Sequence, residues 1–248
     1  MLSYGGDKTG DTFDYEVNGI VHWGNAGSVI WVYPPGTTTI APIYSTPVIR
    51  NSRIYIGAED GKLYCIKIAD GDTAWTYQAS GAIRGIPSIY NDTITFGTMG
   101  SNPKVYCMVD TGKRPVVVWT YDVPGAIVST PISDGDFVYF GATDGKIYAC
   151  SLATGHLAWN TPYNTGGSVQ SSPSVYSNEL HIGSDSDTLF KLQCVNGVVL
   201  AKFGTGGDVT APPWLDVYNG GRVYIGSYDT KFYTICLLYT SPSPRDRG

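Results

Sequence analysis

Short apolar runs divided by tight polar turns account for most of this chain. Runs such as "IYIG" (54–57) and "LYCI" (63–66) alternate with period two and are rich in β-branched and aromatic residues, a pattern that predicts half- or fully buried strands. No segment sustains a 3.6-residue period with helix formers, so a helical reading fails. In the first clear unit the turns are "RNSR" (50–53), "EDGK" (59–62) and "ADGD" (69–72). Asp-Gly between period-two runs signals a hairpin, because a type I′ turn needs positive φ at both central residues. Three hairpin turns predict four antiparallel strands.

That unit recurs. "STPVIRNSRIYIGAEDGKLYCIKIADGDTAWTY" (45–77) aligns without a gap to "STPISDGDFVYFGATDGKIYACSLATGHLAWNT" (129–161). Residues 85–121 repeat the unit with short insertions, 171–203 repeat it again, and 211–235 hold an incomplete copy. The anchor glycines Gly57, Gly97, Gly141, Gly183 and Gly226 are spaced by 40, 44, 42 and 43 residues. A four-stranded unit of this period predicts an all-β chain, a β-propeller of four-stranded antiparallel blades. Residues 19–33 read as the last two strands of a further blade, after an N-terminal segment 1–18. About five blades are then present; either residues 19–33 close a five-blade ring by pairing with the last partial copy or, as is expected, the ring is incomplete.

Two places in the unit stand out. A tryptophan recurs at the end of the fourth strand, as Trp31, Trp75, Trp119 and Trp159, with Ala201 in that place in the fourth complete copy. These rings are expected to wedge between neighbouring blades, where burial of one is worth a few kcal/mol. The connections between blades follow a frame of Gly, any residue, Ile or Val, a variable residue, a small or polar pair, then Pro: "GAIRGIP" (81–87), "GAIVSTP" (125–131), "GSVQSSP" (167–173), "GDVTAPP" (207–213) and, more loosely, "APIYSTP" (41–47). The variable place holds Tyr44, Arg84, Val128, Gln170 and Thr210. Residues needed only for packing should look alike from copy to copy. Tyr44, Arg84, Gln170 and Thr210 are therefore the candidate binding face, expected at the mouth of a central channel and open to a protein partner or a small ligand.

Composition narrows the rest. A net charge of −5 and a pI near 5.0 argue against nucleic acid or an anionic membrane as the main partner. No apolar run approaches the ~18–20 residues of a membrane-spanning helix, and "MLSYGGDKTGDTF" shows no signal-peptide pattern. Cys65, Cys107 and Cys150 fall in similar places of successive copies, as small buried strand residues would. Asp60, Asp144 and Asp229 each follow their glycine by three but belong to separate blades, so they read as turn residues rather than one metal site. His22, His156 and His181 have no ligand spacing. No nucleophile elbow or phosphate loop is present.

The residues "ACSLATGHLAW" (149–159), with Thr-Gly and Trp four after the glycine, resemble the tryptophan-docking motif of quinoprotein (pyrroloquinoline quinone, PQQ) propeller repeats. "CIKIADGDTAW" (65–75) keeps that spacing, and "CMVDTGKRPVVVW" (107–119) carries three extra residues. The resemblance covers about 20–235. It implies the propeller fold, with about five blades present of seven or eight, and leaves activity open, because the repeat serves dehydrogenases and non-catalytic proteins alike. Among the latter are the propeller lipoprotein of the outer-membrane β-barrel assembly machinery and various surface and sensor proteins. As an enzyme the chain would be part of a PQQ-dependent dehydrogenase with a Ca²⁺ ion and a catalytic Asp. The adjacent cysteine pair of several such enzymes is absent from the sequence, and no residue here is assigned to that machinery. The expectation is a non-catalytic interaction scaffold with no cofactor, periplasmic, cell-surface or secreted.

The last stretch, "CLLYTSPSPRD" (236–246), breaks the pattern and closely resembles a translated transposase sequencing adapter. Residues 236–248 are therefore expected to be foreign to the fold. Deleting them should leave the thermal melt, followed by circular dichroism, unchanged; a large loss of stability would contradict that reading.

Overall fold

In the computed structural model the alternating runs form one antiparallel sheet after another, described over residues 15–16, 20–21, 29–36, 39–218 and 221–236. A short ladder of β1 (Tyr15–Glu16) and β2 (Ile20–Val21) comes first. Blade I holds β3 (Val48–Arg50), β4 (Arg53–Gly57), β5 (Lys62–Lys67) and β6 (Thr73–Gln78). Blade II holds β7 (Ser88–Tyr90), β8 (Thr93–Gly97), β9 (Lys104–Asp110) and β10 (Pro115–Asp122). Blade III holds β11 (Ile132–Ser133), β12 (Phe137–Gly141), β13 (Lys146–Ser151) and β14 (Tyr163–Asn164). Blade IV holds β15 (Ser174–Tyr176), β16 (Glu179–Ser184), β17 (Thr188–Gln193) and β18 (Val199–Gly204). Blade V has three strands, β19 (Trp214–Asp216), β20 (Arg222–Gly226) and β21 (Phe232–Cys236). Among the described residues there is no helix.

The hairpin turns are of two kinds. "RNSR" has both central residues, Asn51 and Ser52, at positive φ, as a type I′ turn requires. In "EDGK" only Gly61 has positive φ, with Gly61 N–H donating to the Ala58 carbonyl and Ala58 N–H to the Lys62 carbonyl at 3.1 Å each. That is a three-residue loop closed by a bulge, and it needs one left-handed residue instead of two. The aspartates fit it as turn residues: Asp60, Asp144 and Asp229 each accept from the N–H two residues on and from the hydroxyl of Tyr64, Tyr148 or Tyr233, at 2.5–2.6 Å for the hydroxyls.

In blades I to IV both faces are covered, and alternation divides their side chains between two junctions; blade V is covered on the blade IV side, while its other face exposes Trp214 and Phe232. Tyr55, Leu63, Cys65 and Trp75 of blade I pack on Ile94, Phe96, Tyr106 and Met108 of blade II. Val105, Cys107 and Trp119 of blade II meet Val138, Phe140, Tyr148 and Cys150 of blade III, and blade III meets blade IV in the same manner. Cys65 and Cys107 thus face the following blade and Cys150 the preceding one, all fully buried.

The linkers seat the blades on one another. A β-carbon at Gly57, Gly97 or Gly141 would lie 2.2 Å from Ile83, Ile127 or Val169, the Ile/Val of the next linker. Each of those residues also donates its N–H to the same blade's inner turn: Ile83 to Ala58, Ile127 to Thr98 and Val169 to Ala142, at 3.0–3.1 Å. Buried Ser45 and Ser171 donate to the Gly85 and Ala211 carbonyls of the next linker, and Thr130 N–H donates to Ser172 Oγ. The innermost strands therefore stand side by side on the linker side of the blades.

Two details differ from the sequence expectation. Ile20–Val21 pairs with Tyr15–Glu16, and residues 29–33 form no strand. That segment lies on blade I instead, with Trp31 and Tyr33 against Tyr64 and Ile66. Residues 22–28 and 237–248 lie outside the described residues, and β21 runs one residue into the stretch set apart at the end.

Gly97→Ala should cost about 2 kcal/mol or more, because the new methyl overlaps a buried Ile side chain. Gly226→Ala should change stability by less than about 0.5 kcal/mol, since nothing lies within 4 Å of its would-be β-carbon. Urea unfolding of both variants checks the contrast; equal losses would remove the linker contact as its cause.

Candidate functional site

The variable linker residues share one face with a second variable position that sequence reasoning missed. The residue two after each anchor glycine, namely Glu59, Met99, Thr143, Asp185 and Tyr228, donates its N–H to the linker arriving from the preceding blade, to Pro42, Ala82, Ala126, Ser168 and Asp208 respectively, at 2.8–3.0 Å. These backbone bonds hold the linker places and the inner turns next to each other. A signal was present, since this position also varies from copy to copy.

Tyr44, Arg84 and Gln170 are exposed and Thr210 is half-buried. Tyr44 and Arg84 come together, with the guanidinium carbon 5.2 Å from the ring centroid. Arg84 also grips Glu59 with two hydrogen bonds, Nε to Oε1 at 2.6 Å and Nη2 to Oε2 at 3.0 Å. The guanidinium holds the Glu59 carboxyl below its ordinary range. Gln170 is a separate contact, donating to Asp185 Oδ2 at 2.7 Å. Near Thr210 the face is acidic: the Asp208 carboxyl is pushed up by partial desolvation and then by Asp185 and Asp187. One side of the face thus presents an aromatic–cation–carboxylate cluster and the other an acidic one. Among the described residues no group of three or more His, Cys, Asp or Glu side chains is placed to hold a metal ion.

The tryptophans sit away from this face, at the outer ends of the blade junctions. Trp31, Trp119 and Trp159 donate their indole N–H to the carbonyls of Ile68, Leu152 and Cys194 of the following blade, at 2.7–2.9 Å. Each ring lies over the glycine of the next outer turn, so a β-carbon at Gly71, Gly155 or Gly197 would meet it within 2.6–2.7 Å. Trp75 behaves differently. Its indole N–H donates to Asp110 Oδ1 at 3.0 Å, while Tyr55 and Arg53 both donate to Oδ2 at 2.7 Å. Burial raises the Asp110 carboxyl, but these donors and the Gly112 N–H outweigh it and the carboxyl stays below its ordinary value.

A family model described as outer membrane protein assembly factor BamB matches residues 17–114 and 95–242. The chain belongs to the BamB family. A BamB of Taylorella asinigenitalis (strain MCE3) is 24% identical over 183 residues, 68% of this chain and 46% of the relative. One of Shewanella oneidensis is 26% identical over 160 residues, 60% of this chain and 40% of the relative. The chain therefore spans less than half the length of these two BamB relatives. Among solved structures, BamB from Moraxella catarrhalis aligns with a TM-score of 0.64 at 17% identity, covering 77% of this chain and 56% of that one. The computationally designed Ika8 protein aligns equally well, with a TM-score of 0.64 at 16% identity over 77% of this chain and 57% of its own. At such identity these two likenesses establish the fold alone.

One junction of this BamB-family propeller breaks the packing rule. In blade I the cross-strand row toward the next blade is Val48, Tyr55, Cys65 and Trp75. In blade IV it is Ser174, His181, Lys191 and Ala201. His181 is 2% exposed, and its Nε2 has no hydrogen-bond partner. Its imidazole is pushed down to about 4, first by burial and then by the Lys191 charge, against the opposing pull of Glu179. Glu179 itself binds Lys191 Nζ at 2.7 Å.

Protonation of His181 thus favours the unfolded chain. As pH falls from about 6.5 to about 4, the unfolded chain takes up a proton that the folded chain refuses, a loss of about 3 kcal/mol. His181→Thr, the residue type found at that place in blade II, should remove this part of the acid sensitivity. Urea unfolding at pH 7 and pH 4.5 tests it; an equal drop in both proteins would show that His181 is not responsible.

Proposed function

We propose that this chain is a non-catalytic propeller of the cell envelope that binds a protein partner through its linker face, at the channel mouth, in outer-membrane protein assembly. The relatives carry the name of an assembly factor, which supports the process. The Tyr44–Arg84–Glu59 cluster carries the assignment of the face. An exposed Arg already oriented by a bidentate carboxylate and an aromatic ring loses little rotamer freedom on binding. Tyr and Arg are also the residue types that dominate binding energy at protein interfaces.

Gln170 and Thr210 extend the same face toward the acidic cluster, so a partner would meet cationic and anionic ground side by side. Such a pattern favours orientation and selectivity over raw affinity. The reading assigns no cofactor: recognition rests on shape, charge and hydrogen bonding. The contacts of blade assembly that recur from copy to copy lie beneath this face, so its side chains can differ without disturbing the fold.

Tyr44→Ala, Arg84→Ala and Gln170→Ala together should weaken binding to a purified outer-membrane assembly complex about tenfold or more, equivalent to about 1.4 kcal/mol. The melting temperature should stay nearly unchanged, because exposed ion pairs contribute little to stability. Surface plasmon resonance with a parallel thermal melt measures both. Unaltered affinity in a folded triple variant would retire the proposal.

A further inference from the structure

The outer edge of blade II is unlike those of blades I and IV. β6 exposes Thr73, Thr76 and Gln78, and β18 exposes Leu200, Lys202 and Gly204. β10 is eight residues long and exposes three consecutive valines, Val116 at 44%, Val117 at 36% and Val118 at 48%. The extra residues between Gly112 and Trp119 supply this stretch. It pairs with β9 on one side only, so alternate backbone N–H and C=O groups along the other side have no strand partner. Val118 is the bulged residue, between Val117 opposite Met108 and Trp119 opposite Cys107. It also lines a cleft of about 560 Å³ between blades II and III, together with Val109, Phe137 and Leu152.

Charge marks one end of the edge. Lys113 and Arg114 are exposed at the start of β10, and neither makes an ion pair among the described residues. At the far end Asp122 is paired with Lys104. An unpaired edge, an apolar stretch, a cleft beside it and a cationic end together describe what an added strand would use. A second copy of this chain is a poorer occupant, because the acidic end that its β10 would bring, Asp122, is already paired with Lys104.

We propose that β10 is a strand-addition site for an extended segment of another polypeptide, one with alternating apolar residues and an acidic end lying against Lys113 and Arg114. The added strand runs antiparallel, pairs its backbone along 116–118 and places one apolar side chain in the cleft. This site is on the outer rim and is independent of the linker face. Antiparallel addition puts the acidic end at the C-terminus of the bound segment.

Fluorescein-labelled peptides test it on the full chain: four Val-Thr repeats ending in Asp-Asp, the same ending in Lys-Lys, and the first with Pro at its centre. Anisotropy should show binding of the Asp-ended peptide and at least tenfold weaker binding of the other two. It should also show the preference inverted in Lys113→Glu/Arg114→Glu. Amide exchange over 116–120 should slow only with the Asp-ended peptide. Val117→Lys should abolish binding; if that variant does not fold, the charge reversal at two exposed residues carries the test. The Tyr44/Arg84/Gln170 alanine variant should bind these peptides as the parent does, which separates failure here from failure of the linker face. Equal binding of the Asp- and Lys-ended peptides overturns the proposal. So does a dimer, by light scattering, that the charge reversal dissociates, since the occupant would then be a second copy.

Discussion

Ile83 occupies the space a side chain at Gly57 would need, and the same exchange is repeated by Ile127 with Gly97 and Val169 with Gly141. This close approach sets the separation and tilt of successive blades. Because it is anchored by the linker N–H donating to the inner turn, it fixes position as well as distance. Burial of the facing sides of successive blades follows from it, since a blade held any further away would leave voids along β4, β5 and their counterparts. Voids of that kind forfeit dispersion contacts outright. The requirement for glycine at that place is therefore steric, imposed by a neighbour, and has nothing to do with turn formation.

Much of this was legible in the sequence, and the reason is repetition. Four copies of one unit expose the strand pattern, the three turns, the anchor glycines and the tryptophans, because a constraint shared by the blades leaves the same residue in most of them. The aspartates Asp60, Asp144 and Asp229 were legible as turn residues for the same reason. What was hidden lies in the exceptions. Asp110 falls at the end of β9 in an irregular copy, and nothing in its neighbours suggests that Arg53, Tyr55 and Trp75 converge on it from another blade. The polar row of Ser174, His181 and Lys191 becomes visible only when three strands are laid side by side. Periodicity also misled at 29–33, where apolar alternation reflects packing on blade I without a ladder partner.

The candidate site shows the same division. The variable linker place was found by comparing copies, but its companions Glu59 and Asp185 were not, because they sit across a turn from it in sequence terms. Only the hydrogen bonds between linker and inner turn bring the two sets together. The resulting face draws one half of its chemistry from connections and the other half from hairpins. Its backbone is held by the blade framework, while its side chains remain free to vary. That combination suits recognition: a rigid platform whose specificity can change without cost to the fold.

The junction between blades I and II has a consequence for how the chain assembles. At Trp31, Trp119 and Trp159 the ring rests on a glycine and its indole meets a carbonyl, a contact that any blade could offer to any other. Between blades I and II the indole, a phenol and a guanidinium all require the one buried carboxylate of Asp110. A different blade docked there would strand three polar groups and leave Arg53 without its counter-ion, which is far more costly than a poor apolar fit. In a chain of near-identical units, where wrong-order docking is the characteristic error of folding, this single junction acts as a key. It favours blade II as the neighbour of blade I, and with it the native order of the blades that follow.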